Sequence, residues 1–360
     1  MFLNEKRIVI KVGSNVLAQP DGGLSVERIR QLTSQIATLQ KSGYELVLVS
    51  SGAVASGRSL IQLSEKMDEV SQRQVLAAVG QVKLLNIYAD FFQKSDMLCA
   101  QVLVTKEDFR DREHYLNMKN CITTLLDNNV VPIINENDVV SVTELMFTDN
   151  DELAGLVSGM VNASKLIILS NIDGIYNGNP KDKSSTVIPQ ISYGDKQFTQ
   201  YVTSEKSNFG RGGMMTKCSM AHKVAGLGIA VQIANGTKDG ILLDIIDGKP
   251  IGTSFIPKKT TSNIKKWVAH SDGFVKGTVF IDAGAVQALL SDTPTSLLPV
   301  GVLKVEGVFG KGDLIRICDR SGKQLGVGKA QYNSDKAEDL KRKKNQKALV
   351  HYDYLFLNHI

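Results

Sequence analysis

Cysteine is scarce. Cys99, Cys121, Cys218 and Cys318 are widely scattered with no C-x-x-C pair, which argues against a disulfide scaffold or a thiolate metal site and predicts buried free thiols. The five histidines show no ligand spacing. No apolar run approaches the ~20 residues that cross a bilayer. The start, Met1-Phe2-Leu3-Asn4-Glu5-Lys6-Arg7, lacks the apolar centre of a signal peptide, so the chain reads as cytoplasmic. In that setting Asn162-Ala163-Ser164 and Asn235-Gly236-Thr237 are chance sequons. Three catalytic signatures are missing as well. The chain has no G-x-x-x-x-G-K-[ST], no G-x-G-x-x-G after its first strand and no G-x-S-x-G. This argues against a P-loop, a dinucleotide fingerprint and a nucleophile elbow.

What is present describes a globular protein of two domains. Hydrophobic residues make up 42% and charged residues 22%, ordinary for a packed core under a charged surface. A chain of 360 residues exceeds what one core usually organises. Charge divides it: from residue 256 onward 17 Lys+Arg stand against 10 Asp+Glu, and the remainder has 25 against 27. The shift near Lys258-Lys259-Thr260-Thr261-Ser262-Asn263 predicts a linker over 258–274, between a domain at 1–257 and another at 275–360. Lys341-Arg342-Lys343-Lys344 is a run that suits either a solvated face or a nucleic-acid patch.

The first 255 residues alternate short apolar runs with helical patterns. Ile8–Val12 reads as a buried strand. Ser25 caps a helix with Val26, Ile29, Leu32, Ile36 and Leu39 on one face, Gly43 ends it, and Glu45–Ser50 is the next strand. Helices follow over 71–93, 113–128, 150–162 and 215–227, with strands over Leu98–Val104, Val130–Asn135, Lys165–Ser170 and Ile229–Ala234. This order predicts an α/β fold, a three-layer αβα sandwich around a mainly parallel sheet. Ligands bind such sheets beyond the carboxyl ends of the strands.

Polar and small residues gather at those ends. Lys11-Val12-Gly13-Ser14 offers a lysine and free amides to a phosphate, or a lysine snorkelling at a sheet edge. Ser50-Ser51-Gly52-Ala53 is either an anion site at a helix N-terminus or a tight turn. Asn135-Glu136-Asn137-Asp138 and Thr148-Asp149-Asn150-Asp151-Glu152 hold more amides and carboxylates than capping requires. Ser170-Asn171 follows the fifth strand. Gly210-Arg211-Gly212-Gly213-Met214-Met215-Thr216-Lys217 leads a Gly-rich loop into a helix with a lysine one turn inside, suited to a nucleotide phosphate or to a hinge. No general base stands out. Phosphoryl transfer to a carboxylate needs none, because that acceptor is already ionised at neutral pH.

These segments together resemble the amino acid kinase superfamily, and within it the branch that phosphorylates the side chain of glutamate in the first step of proline biosynthesis. The resemblance covers nearly the whole chain. Gly277–Asp282, Ser296–Gly301, Gly312–Ile317 and Gly326-Val327-Gly328 look like a PUA domain, a small β-barrel-like fold known from RNA-modifying enzymes; period-two alternation over Leu314–Cys318 agrees.

The resemblance implies ATP and Mg²⁺ as cofactors, with Lys11 and Lys217 on the transferring phosphate and Asp151 pairing with both. It implies Ser51, Asp138 and Asn150 at the substrate L-glutamate, with Ser14, Gly52, Asn135 and Asp149 nearby. Ser170, Asn171 and Arg211, Gly212, Gly213, Met214, Met215, Thr216 and Lys217 match nucleotide-binding segments. Ser170-Asn171 stands where the family often has Thr-Asp, and Arg211 where Thr or Ser is common. Further implied partners are proline as feedback inhibitor, a homo-oligomer (dimer or tetramer), RNA through the PUA domain, and a glutamyl phosphate reductase. Alternatives are a relative acting on N-acetylglutamate, aspartate or UMP, or a non-catalytic RNA-binding protein on a kinase scaffold.

Overall fold

β1 (Asn4–Val12) runs through the middle of an eight-stranded sheet, flanked by β2 (Glu45–Ser50) and β5 (Ala163–Ser170). In this computed structural model, residues 4–19, 22–64, 66–110, 112–141, 146–180, 182, 184–195, 213–258, 275–291 and 295–357 are described. With β3 (Leu98–Val104), β4 (Val130–Glu136), β6 (Gln190–Ser192), β7 (Ala230–Asn235) and β8 (Thr253–Ile256), the strand order is β3-β4-β2-β1-β5-β7-β8-β6. Every neighbouring pair is parallel except β7–β8. The mixed α/β class with a mainly parallel sheet is as the alternation predicts. The chain crosses from one side of β1 to the other between β4 and β5, and the carboxyl ends of β1 and β5 mark the crevice for a ligand.

The helices are α1 (Ser14–Leu17), α2 (Val26–Lys41), α3 (Ala53–Arg58), α4 (Glu69–Gln93), α5 (Lys106–Arg110), α6 (Arg112–Asp127), α7 (Asn150–Met160), α8 (Met214–Gly226) and α9 (Ile241–Ile246). Ser25 caps α2 by accepting a hydrogen bond from Arg28 N at 3.3 Å, and Gly43 follows it in the left-handed region, φ 83°. Ile8, Ile10 and Val12 of β1 share one core with residues of α2, α4 and α9. Val9 and Lys11 alternate to the opposite face, where α7 packs across β1, β2, β4 and β5. A buried strand therefore delivers Lys11 onto the face that carries α7.

α4 is long and apolar enough to cross a membrane by length and composition. Its Leu76, Leu84, Tyr88 and Phe92 are buried, as in a core helix, each contributing about 1.5–3 kcal/mol. Glycines let it approach α3. A Cβ on Gly80 would lie 1.9 Å from the Ala53 carbonyl oxygen, and one on Gly57 2.0 Å from that of Leu76. This contact holds the start of α3, and with it the Ser51-Gly52 turn.

The chain divides into two units, Met1–Lys259 and Thr260–Ile360. Apart from Lys258, the anticipated linker over 258–274 lies outside the described residues. The second unit has a five-stranded sheet of β9 (Gly277–Ile281), β10 (Val302–Glu306), β11 (Leu314–Cys318), β12 (Gln324–Ala330) and β13 (Val350–Leu357), ordered β10-β9-β11-β12-β13. Ile315 and Ile317 enter its main core, while Leu314 joins Val327 and Phe356 in a smaller cluster. Within the basic run, Lys341 pairs with Glu338 and Arg342 with Asp282; Lys343 and Lys344 are exposed.

All four cysteines are free, but only Cys218 and Cys318 are buried. Cys121 is exposed, which corrects the expectation of buried thiols. On α6 the neighbouring Ile122 is the residue turned inward, and a helix rotates successive side chains by about 100°.

Candidate active site

Lys11, Asp151 and Lys217 converge. Asp151 Oδ1 lies 2.7 Å from Lys11 Nζ and Oδ2 lies 2.6 Å from Lys217 Nζ. The Asp151 side chain is wholly buried and that of Lys11 nearly so. Asp151 sits in the first turn of α7, whose cap, Asp149, accepts from the backbone N–H of Asp151 and Glu152 at 2.9 and 3.1 Å. Helix N-termini favour negative charge. Burial opposes ionisation of Asp151, but the two ammonium groups outweigh it and hold its carboxyl down at about 2. Burial pulls the Lys11 ammonium down, with Lys217 adding repulsion and Asp151 opposing both. For Lys217, burial works against the charge, but Asp151 raises it overall. Two cations flank the Asp151 carboxylate, and the Asp149 carboxyl is close enough to act on both of them.

Lys217 stands one turn into α8. The Thr216 hydroxyl accepts from Gly213 N–H at 2.8 Å and donates to the Gly213 carbonyl at 2.7 Å, fixing the entry to that helix. Met214 and Met215 fill its first turn, with Met215 exposed. Arg211 and Gly212 lie outside the described residues. Ser170 is buried at the end of β5 and Asn171 is exposed beyond it. Two loops anchor there: Gly13 N–H donates to Leu169 O at 3.2 Å and Gly236 N–H to Ser170 O at 2.8 Å. Ser14 begins α1.

A second group lies at the ends of β2 and β4. Asn150 Nδ2 donates to Ser51 Oγ at 2.8 Å and to Asn135 Oδ1 at 3.0 Å. Asn135 Nδ2 donates in turn to Gln81 Oε1 at 3.0 Å. Gly52, φ 111°, caps α3 in a conformation that favours glycine. Asp138 accepts from both Nε and Nη2 of Arg73, the Nε bond being 3.1 Å. Glu136 Oε2 lies 3.7 Å from the same Nη2. Burial raises the Asp138 carboxyl despite Arg73. Burial, with Asp138 adding repulsion, pushes Glu136 up to about 7.

The sequence reading missed Arg73 and Gln81. Both come from α4, and neither belongs to a strand-end motif. Glu136 was inside one and received no role. Asn235 and Lys238 also went unassigned; both bond to Asp173 Oδ1, at 3.0 and 2.7 Å, beside the Ser170 end of β5.

Residues 6–235 match the amino acid kinase family and residues 277–352 match the PUA domain. The chain belongs to the amino acid kinase family, with a PUA domain C-terminal to the kinase part in the sequence. Within that family the relatives it matches nearly end to end are glutamate 5-kinases. The one from Bacteroides thetaiotaomicron is 53% identical over 98% of each chain. That from Chlorobaculum tepidum is 51% identical over 98% of this chain and 97% of its own. Among solved structures, carbamate kinase from Giardia lamblia bound to AMP-PNP aligns over 71% of this chain and all of that one, with a TM-score of 0.52 at 20% identity. That likeness concerns the fold. The resemblance drawn from the motifs holds for both the superfamily and the branch.

Proposed function

We propose that this protein transfers the γ-phosphoryl group of ATP to the side-chain carboxylate of L-glutamate, giving L-glutamyl 5-phosphate, the first step of proline biosynthesis. The observation that carries the mechanism is the Lys11–Asp151–Lys217 arrangement. The glutamate carboxylate attacks without losing a proton, so the protein has to bring two anions together and stabilise charge moving to the leaving phosphate. Lys11 and Lys217 would contact the transferring group. Asp151 would hold both lysines in place and protonated, so that they need not reorganise during reaction. Ser51, Asp138 and Asn150, with Ser14, Gly52, Asn135 and Asp149 nearby, would receive glutamate. Ser170, Asn171 and Arg211–Lys217 would receive the nucleotide.

Mg²⁺ fits the residues present. Asp149 Oδ2 is buried and makes no hydrogen bond among the described residues. Burial, with Asp151 adding repulsion, raises its carboxyl, a cost that a cation would relieve. No cluster of three metal-ligating side chains occurs among the described residues. Mg²⁺ is commonly held by one or two carboxylates together with substrate phosphates; when bound it would neutralise phosphate charge. A cytoplasmic location, proline inhibition, self-association, RNA contact through the PUA domain and transfer of product to a glutamyl phosphate reductase extend the same proposal.

The test is to incubate the protein with Mg-ATP, hydroxylamine and one acceptor at a time, measuring ADP and hydroxamate. Hydroxamate from L-glutamate and none from N-acetylglutamate or aspartate is expected. Absence of turnover with glutamate, in protein shown to be folded, would overturn the reading.

A further inference from the structure

We propose that Gln81, as the acceptor at the far end of an amide relay, positions the Asn150 side chain through which the pocket reads the free ammonium group of its amino-acid substrate. This rests on the glutamate reading above and deepens it. The relay has three links: Asn135 Nδ2 to Gln81 Oε1, Asn150 Nδ2 to Asn135 Oδ1, and Asn150 Nδ2 to Ser51 Oγ. Gln81 and Asn135 are buried, at 8% and 4% exposure. An amide has a donating end and an accepting end. Turning one of these amides alone would set N–H against N–H, or oxygen against oxygen, in a buried place, at the cost of unmet hydrogen bonds. The links therefore reverse together or not at all.

The polarity has a consequence at the pocket. Both amide hydrogens of Asn150 are committed, one to Asn135 and one to Ser51, so Asn150 Oδ1 is left as an acceptor. Ser51 Oγ has accepted one bond, so its hydroxyl hydrogen is left to donate. An acceptor beside a donor suits a zwitterion: an ammonium group for Asn150 Oδ1 and a carboxylate for Ser51. The reversed relay would turn Asn150 N–H toward that ammonium, donor against donor. An N-acylated amino acid has no ammonium to offer in either case. Gln81 touches none of the reacting atoms. It is a positioning residue, placed by α4 at the far end of the relay.

Two variants separate polarity from packing. Gln81→Met keeps length and removes the acceptor. Gln81→Glu keeps an acceptor at the same reach. Initial rates give kcat and KM for L-glutamate and for ATP, with a thermal midpoint to check folding. For Gln81→Met the glutamate KM should rise about tenfold or more, as expected when a buried hydrogen-bond partner is lost. The ATP KM should stay within about twofold, and preference for glutamate over N-acetylglutamate should fall. Gln81→Glu should restore the glutamate KM to within about threefold of wild type. Equal losses in both variants, or a wild-type glutamate KM in Gln81→Met, would overturn the relay. If Gln81→Met does not fold, Gln81→Glu decides alone, since a tenfold rise there contradicts an acceptor role. Failure of the wild-type protein to use glutamate would instead count against the proposed function.

Discussion

Lys217 Nζ lies 2.6 Å from Asp151 Oδ2, a bond joining the first turns of α7 and α8. Replacing Lys217 by Ala removes one of the two cations proposed to face the transferring phosphate. Turnover with glutamate should fall on the order of 10²–10³-fold, the usual cost of losing one charge-stabilising donor. Initial rates at saturating ATP and glutamate measure it. Turnover within a few-fold of wild type would remove Lys217 from the mechanism.

Asp151→Asn keeps the shape of the side chain and removes its charge. Two buried or half-buried lysines would then face each other without the carboxylate that bridges them. Breaking a buried ion pair by removing one partner costs about 3–5 kcal/mol. Denaturant unfolding should show a loss of that order together with a collapse in turnover. An unchanged unfolding midpoint would mean that the lysines do not depend on Asp151 for their place.

Gly80→Ala tests how α4 supports the pocket. The added Cβ would meet the Ala53 carbonyl at 1.9 Å, so α3 and α4 must separate. Overpacking of this kind costs about 1–3 kcal/mol. Because Ala53 follows Ser51-Gly52 directly, the glutamate KM should rise while the ATP KM changes less. A variant with unchanged stability and unchanged KM would show that the helices part without moving the turn.

Glu136 gives a pH prediction. Its folded carboxyl is raised from 4.5 to about 7, first by burial. The unfolded chain therefore releases this proton more readily than the folded one. The group's favourable contribution is fully present below about pH 4.5 and is lost as pH rises through about 7. Glu136→Gln should remove that dependence. Relative to wild type, the variant should gain stability between pH 5 and pH 8, measured as unfolding midpoints in denaturant. Parallel curves for the two proteins would sink the assignment.

The sequence disclosed the elements that repeat one rule. β1, β2, β3, β4, β5 and β7 are apolar runs between helical patterns, and their limits fall within a residue or two of those expected, except that β1 begins at Asn4, four residues before the expected Ile8. Lys11, Asp151 and Lys217 were legible because each stands beside a strand end or a helix start with a recognisable neighbourhood. α3 was hidden, because Ala53–Arg58 is short and rich in small residues that read equally well as a turn. β8 was hidden because four residues carry too little periodicity, and its antiparallel pairing with β7 breaks the alternation. Arg73 and Gln81 had no local signal. Their positions on α4 look like any polar face until the fold brings that helix against the end of β4.

Cys218 follows Lys217 directly and is buried, with its thiol pushed up to about 12 by that burial. At neutral pH it carries almost no thiolate, the form that reacts with alkylating reagents. Cys121, exposed on α6, is the most accessible thiol of the four, with Cys99 half-buried. A maleimide dye would therefore tag the outside of the kinase part and spare the thiol next to the proposed phosphate-binding lysine, giving a fluorescent handle for following ligand binding while the chemistry is left intact.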